Sequence, residues 1–254
     1  MGDKIVVTGT GIIGPCGNTV EEFINNLYLG KVNIKELSKS KYSEIRIGGK
    51  IVDFEKSTNG ISRRLLNKCD DFSKISLIAS KSAIEEAEIS DFPLERIGIF
   101  IGNSTGGWNS SSTGLKNLFI DNFPVSPFMA SNWFPAAVQG HLSLAYGFKG
   151  ISKTLISDRT SGMLAIKHAI KNINSGKIDI ALVGGVEAPI NEWALHFYQS
   201  TDEVSIDGKY DFNNNSYGYL ISEGAGFIVI ETEKNALKRN AKIIAEIDGF
   251  DFKF

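Results

Sequence analysis

The chain has little of what marks a secreted, metal-binding or nucleic-acid-binding protein. Its two cysteines, Cys16 and Cys69, make neither a CxxC pair nor a spaced framework in 254 residues. A disulfide scaffold is excluded, and a reducing, cytoplasmic location is expected; the two thiols read as small packed residues. The three histidines, His141, His168 and His196, have no metal-like neighbour set, so no metal and no cofactor is expected. Charge of one sign is also lacking: 29 acidic residues stand against 27 basic ones, mixed along the chain. That balance leaves no electrostatic footprint for nucleic acid or a membrane surface. The opening "MGDKIVVTGTG" is too short and too polar for a signal peptide, and no apolar run reaches membrane-spanning length. Repeats, low-complexity tracts and proline-rich linkers are missing, so residues 1–254 read as a single domain.

What is present is an ordinary globular composition, 42% apolar and 22% charged, enough to bury a sizeable core. Lys4 to Thr8 reads as a buried strand, followed by a glycine-rich turn and an amphipathic helix from Thr19, with Thr19 and Glu22 as a capping box. Residues 32–60 read as loop with short strands. Residues 62–89 read as one long helical stretch, followed by the strand "RIGIFIGNS". Ala130 to Ala145 reads as helix, "SKTLISD" as strand, Ser161 to Ser175 as helix and "DIALVGGVEA" as an all-apolar strand. "SEGAGFIVIET", Glu233 to Asn240 and "AKIIAEIDGFDF" continue as strand, helix and strand. Strands apolar on both faces that alternate with helices imply an α/β layered sandwich with its sheet covered on both sides.

The string "GTGIIG" places Gly9, Gly11 and Gly14 at GxGxxG spacing after a strand. A dinucleotide site would also need a second strand ending in an acidic residue about twenty positions on. That region, "LYLGKVNIKEL", reads as helix and loop, so the string is a weak signal. No Walker-type Gly-Lys-Ser/Thr ending exists either.

Several separated segments, in one order and at compatible spacing, carry a resemblance. They are "VVTGTGIIGPCGNTVEEFINNLYLG", "RRLLNKCDDFSKISLIASKSAIEEA", "SPFMASNWFPAAVQGHLSLAYGFKG", "DIALVGGVEAP" and "GYLISEGAGFIVIE". Together they resemble the N-terminal half of the β-ketoacyl synthases. The resemblance implies a thiolase-like layered sandwich, here its N-terminal half, with a mostly parallel mixed sheet covered by helices on both faces. In that family a cysteine in a "TACxSG" turn is the nucleophile, activated at a helix N-terminus. This chain reads "SDRTSG" there, with Arg159 at the nucleophile position. A guanidinium stays protonated and has no lone pair for acyl transfer. Catalytic residues are therefore expected to be absent. The two histidines that assist the family's reaction belong to a later half, and none of the three present here matches them.

By the same resemblance the strand before that turn, Lys153, Thr154, Leu155, Ile156, Ser157 and Asp158, is the edge that pairs across a twofold axis. A silent relative that keeps it resembles the chain-length factors of type II polyketide systems, and its length is similar to short ones of aryl polyene pathways. The implied partners are a full-length ketosynthase, as heterodimer or heterotetramer, and acyl carrier protein. Trp108 and Ser112 on a Gly/Ser-rich loop, Phe128, Met129, Trp133 and Trp193 are candidates for an acyl tunnel or the interface. For Phe128 and Trp133 a plain core position competes. Arg159 is expected to pair with Asp158, plug the vacated pocket or meet a partner's carboxylate, the last two being favoured. Two other readings stand beside this one. One is an active acyltransferase or decarboxylase, or half of a split ketosynthase. The other is a scaffold that docks carrier protein through Arg63, Arg64 and Lys68.

Overall fold

In a computed structural model the described residues are 3–58, 60–201, 203–209 and 218–249. The elements, in chain order, are β1 (Ile5–Ile13), α1 (Val20–Tyr28), β2 (Ile34–Glu36), β3 (Ile47–Gly49), α2 (Phe54–Ser57), α3 (Arg63–Leu66) and α4 (Asp71–Ala87). Then come β4 (Ile97–Gly102), α5 (Trp108–Phe119), α6 (Met129–Asn132), α7 (Ala137–Tyr146), β5 (Ser152–Leu155) and α8 (Ser161–Asn174). The chain continues through β6 (Ile180–Glu187), α9 (Glu192–Gln199), β7 (Gly224–Thr232), α10 (Glu233–Lys238) and β8 (Ala245–Ile247).

The central sheet runs β5-β4-β6-β7-β1-β8. It is mixed: β4 pairs parallel with β5 and β6, whereas the β6–β7, β7–β1 and β1–β8 pairs are antiparallel. The parallel share is therefore smaller than the mostly parallel mixed sheet that the resemblance implies. A fully buried antiparallel strand is as apolar as a parallel one, and periodicity cannot separate them.

Strand alternation builds the two faces. Ile97, Ile99 and Ile101 of β4, Leu182 and Val186 of β6, and Phe227 and Val229 of β7 join one core cluster with α4. Phe100, Ala181, Val183 and Ile230 point the other way and pack with Ala165, Ala169 and Ile173 of α8. α4 is buried nearly all round, which is why its apolar periodicity is shallow.

Four expected boundaries move. β1 runs through the glycines to Ile13 instead of ending in a glycine turn. A Cβ on Gly9 would lie 2.1 Å from the Ala83 carbonyl oxygen, and one on Gly11 would lie 1.9 Å from that of Ala79. These glycines let α4 press onto the strand, and they belong to no phosphate cradle. The long helix breaks at Asn67–Asp70, where Asp70 caps α4 by accepting from the Phe72 amide. The helix expected over Ala130–Ala145 splits around Pro135, which lacks the donor that a continuous helix needs. The "SKTLISD" strand ends at Leu155, and Asp158 has φ 47° in a 3-10 turn, so Ile156, Ser157 and Asp158 lie outside β5. At Thr19 the side chain accepts from the Glu22 amide, but Glu22 answers to the Asn18 amide, one residue before a true capping box. The tail of the last expected strand, 250–254, lies outside the described residues.

Candidate functional site

The sheet's parallel corner directs the C-terminal ends of β4 and β6 and the N-terminus of α8 to one place. There the turn from Ser157 to Ser161 is wired by its own hydroxyls. Ser161 Oγ accepts from the Ser157 amide at 2.8 Å and donates to the Asp158 carbonyl at 2.7 Å. Thr160 Oγ1 donates to the Ser157 carbonyl at 2.8 Å. α8 seats closely on β4, since a Cβ on Gly102 would fall 2.3 Å from the Gly162 nitrogen. The backbone of this turn thus holds its shape without help from the side chain at 159.

Arg159 is exposed and projects away from that wiring. Its guanidinium donates to the Glu203 carboxylate and lies 5.5 Å from the centre of the Tyr219 ring. Its ion-pair partner is neither Asp158, the first of the three options, nor a carboxylate of another chain, but Glu203 of this same chain. Arg159 also lines an apolar cavity of about 310 Å³ with Met163 and Ile166 of α8, Val183 of β6 and Ile228 of β7. It is the one charged side chain in that lining.

The loop after β4 is held by Glu187, at the end of β6. Its carboxylate accepts from the Ser104 and Thr105 amides and from the Thr105 hydroxyl. Burial pushes its acidity toward the neutral form, and these hydrogen bonds oppose that. The loop then presses on the α6–α7 junction, where a Cβ on Gly107 would meet the Asn132 carbonyl oxygen at 1.8 Å.

The aromatic candidates fall into two groups. Trp108 opens α5 and does not sit on a loop as expected; it meets Phe197 of α9 edge-on at 5.7 Å. Phe197 in turn meets Tyr198 at 5.4 Å. Trp193, on the same helix, is 41% exposed. Ser112 is half-buried on α5 and donates to the Asn109 carbonyl. In the second group Phe128 is 38% and Trp133 56% exposed, so neither is a core residue. Lys68 Nζ lies 5.4 Å from the Phe128 ring centre, and the half-buried Met129 packs toward Gly114 of α5. β5 forms one edge of the sheet; Lys153 is exposed, and Thr154 donates to the Gln139 side chain at 3.1 Å.

His141 is buried, with Nδ1 at 2.9 Å from Ser73 Oγ. His196, on α9, is exposed and His168, on α8, is half-buried. Cys16 and Cys69 are buried and unpaired, and burial pushes the Cys69 thiol up to about 11. Among the described residues no group of His, Cys, Asp or Glu is arranged to hold a metal ion, and no helix is long and apolar enough to cross a membrane.

Residues 2–236 match the family model of the β-ketoacyl synthase N-terminal domain. The chain belongs to the β-ketoacyl synthase family. It is 29% identical over 259 residues to 3-oxoacyl-[acyl-carrier-protein] synthase 2 of Staphylococcus aureus strain N315, covering 97% of this chain and 62% of that protein. The Synechocystis synthase of the same name is 27% identical, with the same coverage. The chain therefore spans about three fifths of the length of these curated relatives. It is also similar, at 32% identity and TM-score 0.78, to a chain of a type II PKS acyl-carrier protein in complex with its ketosynthase bound to the hexaketide. That match covers 98% of this chain and 68% of the other. The ishigamide ketosynthase/chain length factor, at 23% identity and TM-score 0.88, shares the fold and is covered to 63% by 98% of this chain. Thiolase-like ketosynthase architecture accounts for the mixed sheet between α4 and α8.

Glu203 and Tyr219 are the residues that sequence reasoning missed. They are 44 and 60 positions from Arg159, with no pattern linking them. Glu187 lies in the quoted segment "DIALVGGVEAP", but nothing there disclosed its grip on Ser104 and Thr105.

Proposed function

We propose that this β-ketoacyl synthase relative is a non-catalytic, chain-length-factor-like subunit. It pairs with an active ketosynthase and shapes the acyl tunnel during polyketide elongation, of polyene type, or during fatty acyl elongation. The observation that carries the reading is Arg159 in the turn entering α8, where the family resemblance calls for a thiol. A permanently protonated guanidinium cannot attack a thioester. The edge position of β5 and the solvent-facing Phe128 and Trp133 of one group and Trp193 of the other support a pairing role, since large apolar side chains left exposed commonly mark interfaces. Pairing through β5 would join two sheets by backbone hydrogen bonds. Acyl carrier protein would be the substrate carrier of the assembled pair. The second reading, an active enzyme, is favoured by the named synthase activity of the Staphylococcus and Synechocystis relatives.

One experiment separates them. The purified chain is incubated with an acyl thioester or a cerulenin-like electrophile, alone and with a full-length ketosynthase, and each polypeptide is weighed by mass spectrometry. Label is expected on the ketosynthase only, within a stable complex of both chains; label on this chain would overturn the reading. Arg159→Cys sharpens the point. A thiol at this helix N-terminus should have a lowered pKa and be alkylated by iodoacetamide well before buried Cys16 and Cys69. Alkylation at 159 no faster than at those two would mean the turn is not a nucleophile cradle.

A further inference from the structure

We propose that Arg159 is a positioning residue, a latch whose side chain holds the paired segments 203–205 and 218–221 closed against the turn that enters α8. These two segments form one unit. The Tyr219 amide donates to the Glu203 carbonyl at 2.9 Å and the Ser205 amide to the Tyr219 carbonyl at 3.0 Å. They run so close that a Cβ on Gly218 would lie 1.8 Å from the Glu203 carbonyl oxygen. One side of the unit is anchored in the fold: Val204 and Ile221 are buried in a small cluster with Leu37, Ile45 and Leu195, and the Gly49 amide donates to the Ile221 carbonyl. The other side presents Glu203 and Tyr219, from the two different segments, to the single guanidinium of Arg159.

Arg159 suits this work because its own turn does not depend on its side chain; the hydroxyls of Thr160 and Ser161 hold the backbone. The planar cation donates to the carboxylate while its central carbon lies 5.5 Å from the ring centre, and its fixed fork of donors can serve both groups in a way that the single charge point of an ammonium cannot. The same guanidinium lines the 310 Å³ apolar cavity beside α8. Latch opening would therefore release the charged member of that lining from its two partners and change access to an apolar occupant such as an acyl chain. The consequence for acyl binding rests on the function proposed above; the latch itself does not.

Hydrogen exchange of the full chain tests it, read at the Ser205 and Tyr219 amides, with the β6 amides as the control for folding. Arg159→Ala should speed exchange at these amides by about fivefold, the scale of an exposed ion pair plus a cation–π contact, and Glu203→Gln, which spares the ring contact, by about two- to threefold. Arg159→Lys should fall between them and the wild type. The charge-reversed pair Arg159→Glu with Glu203→Arg should recover most of the protection. Raising salt from about 0.1 M to about 1 M should loosen the wild type toward the Arg159→Ala level and leave Arg159→Ala unchanged, because screening acts on the ion pair. Unchanged exchange in both single variants overturns the latch, as does a loss that charge reversal fails to recover. Acylation of this chain would instead sink the non-catalytic reading and leave the latch standing.

Discussion

Two arginine–glutamate pairs in this chain have the same chemistry and opposite surroundings. Arg239 and Glu231 meet where β1, β7, α10 and the end of α4 converge, with Glu231 fully buried and the Arg239 side chain 16% exposed. Glu231 accepts from Arg239 Nη2 at 2.5 Å, from Thr8 at 2.8 Å and from Asn235 at 2.6 Å, while Arg239 Nη1 donates to the Ala87 carbonyl at 2.7 Å. Arg159 and Glu203 are both more than half exposed. Burial decides what each pair can do. In the interior, losing one partner strands the other charge without water. At the surface, water replaces whatever is removed. The first pair therefore acts as a structural rivet between layers, and the second is soft enough to open.

The largest expected effect breaks the buried member. Arg239→Ala leaves Glu231 with only Thr8 and Asn235 as partners and frees the Ala87 carbonyl at the end of α4. A loss of about 3–5 kcal/mol in unfolding free energy is expected by urea denaturation. A loss below about 1 kcal/mol would erase the contrast on which the comparison stands.

The same contrast divides two histidines. His141 is buried against Ser73, and burial lowers its pKa from the ordinary 6.5, whereas His196 is exposed and donates from Nδ1 to the Tyr42 carbonyl oxygen at 2.6 Å. A lowered folded-state pKa means that the unfolded chain takes up the proton first. The stabilising contribution is complete above the unfolded pKa and is lost as pH falls through 6.5 toward the folded value. Stability should decline over that window by at most about 1.4 kcal/mol per pH unit from this one proton. His141→Gln should remove its share of the slope; a slope unchanged in this variant would show that burial of the His141 ring does not set it.

What the sequence disclosed depends on the same distinction between near and far partners. β4, β6, β7 and α8 were legible because their apolar runs meet the sheet wherever it lies, and those runs decide the layer order. Gly9 and Gly11 misled: locally a glycine pair reads as a turn, whereas its reason is the close passage of Ala79 and Ala83, some 70 residues away. Trp108 misled similarly, since the surrounding glycine and serine read as loop although α5 starts there. The turn at Arg159 could be located from family resemblance. The carboxylate and ring that its side chain finds could not, because neither Glu203 nor Tyr219 shares any periodicity with residue 159.

The smallest effect falls on the exposed pair, and it is the most telling. Arg159→Ala removes one hydrogen-bonded ion pair and one ring contact, both open to solvent. The cost to global stability should stay within about 1 kcal/mol, since freed Glu203 rehydrates and the Ser157–Ser161 turn keeps its hydroxyl bonds. The urea midpoint should therefore move only slightly while exchange at Ser205 and Tyr219 quickens. That dissociation distinguishes a latch from a rivet: a rivet lowers the whole unfolding barrier, whereas a latch frees one segment and leaves the rest of the sheet as protected as before. If Arg159→Ala instead cost as much as Arg239→Ala, residue 159 would be part of the core's support, and an opening of segments 203–205 and 218–221 would have to carry the sheet with it.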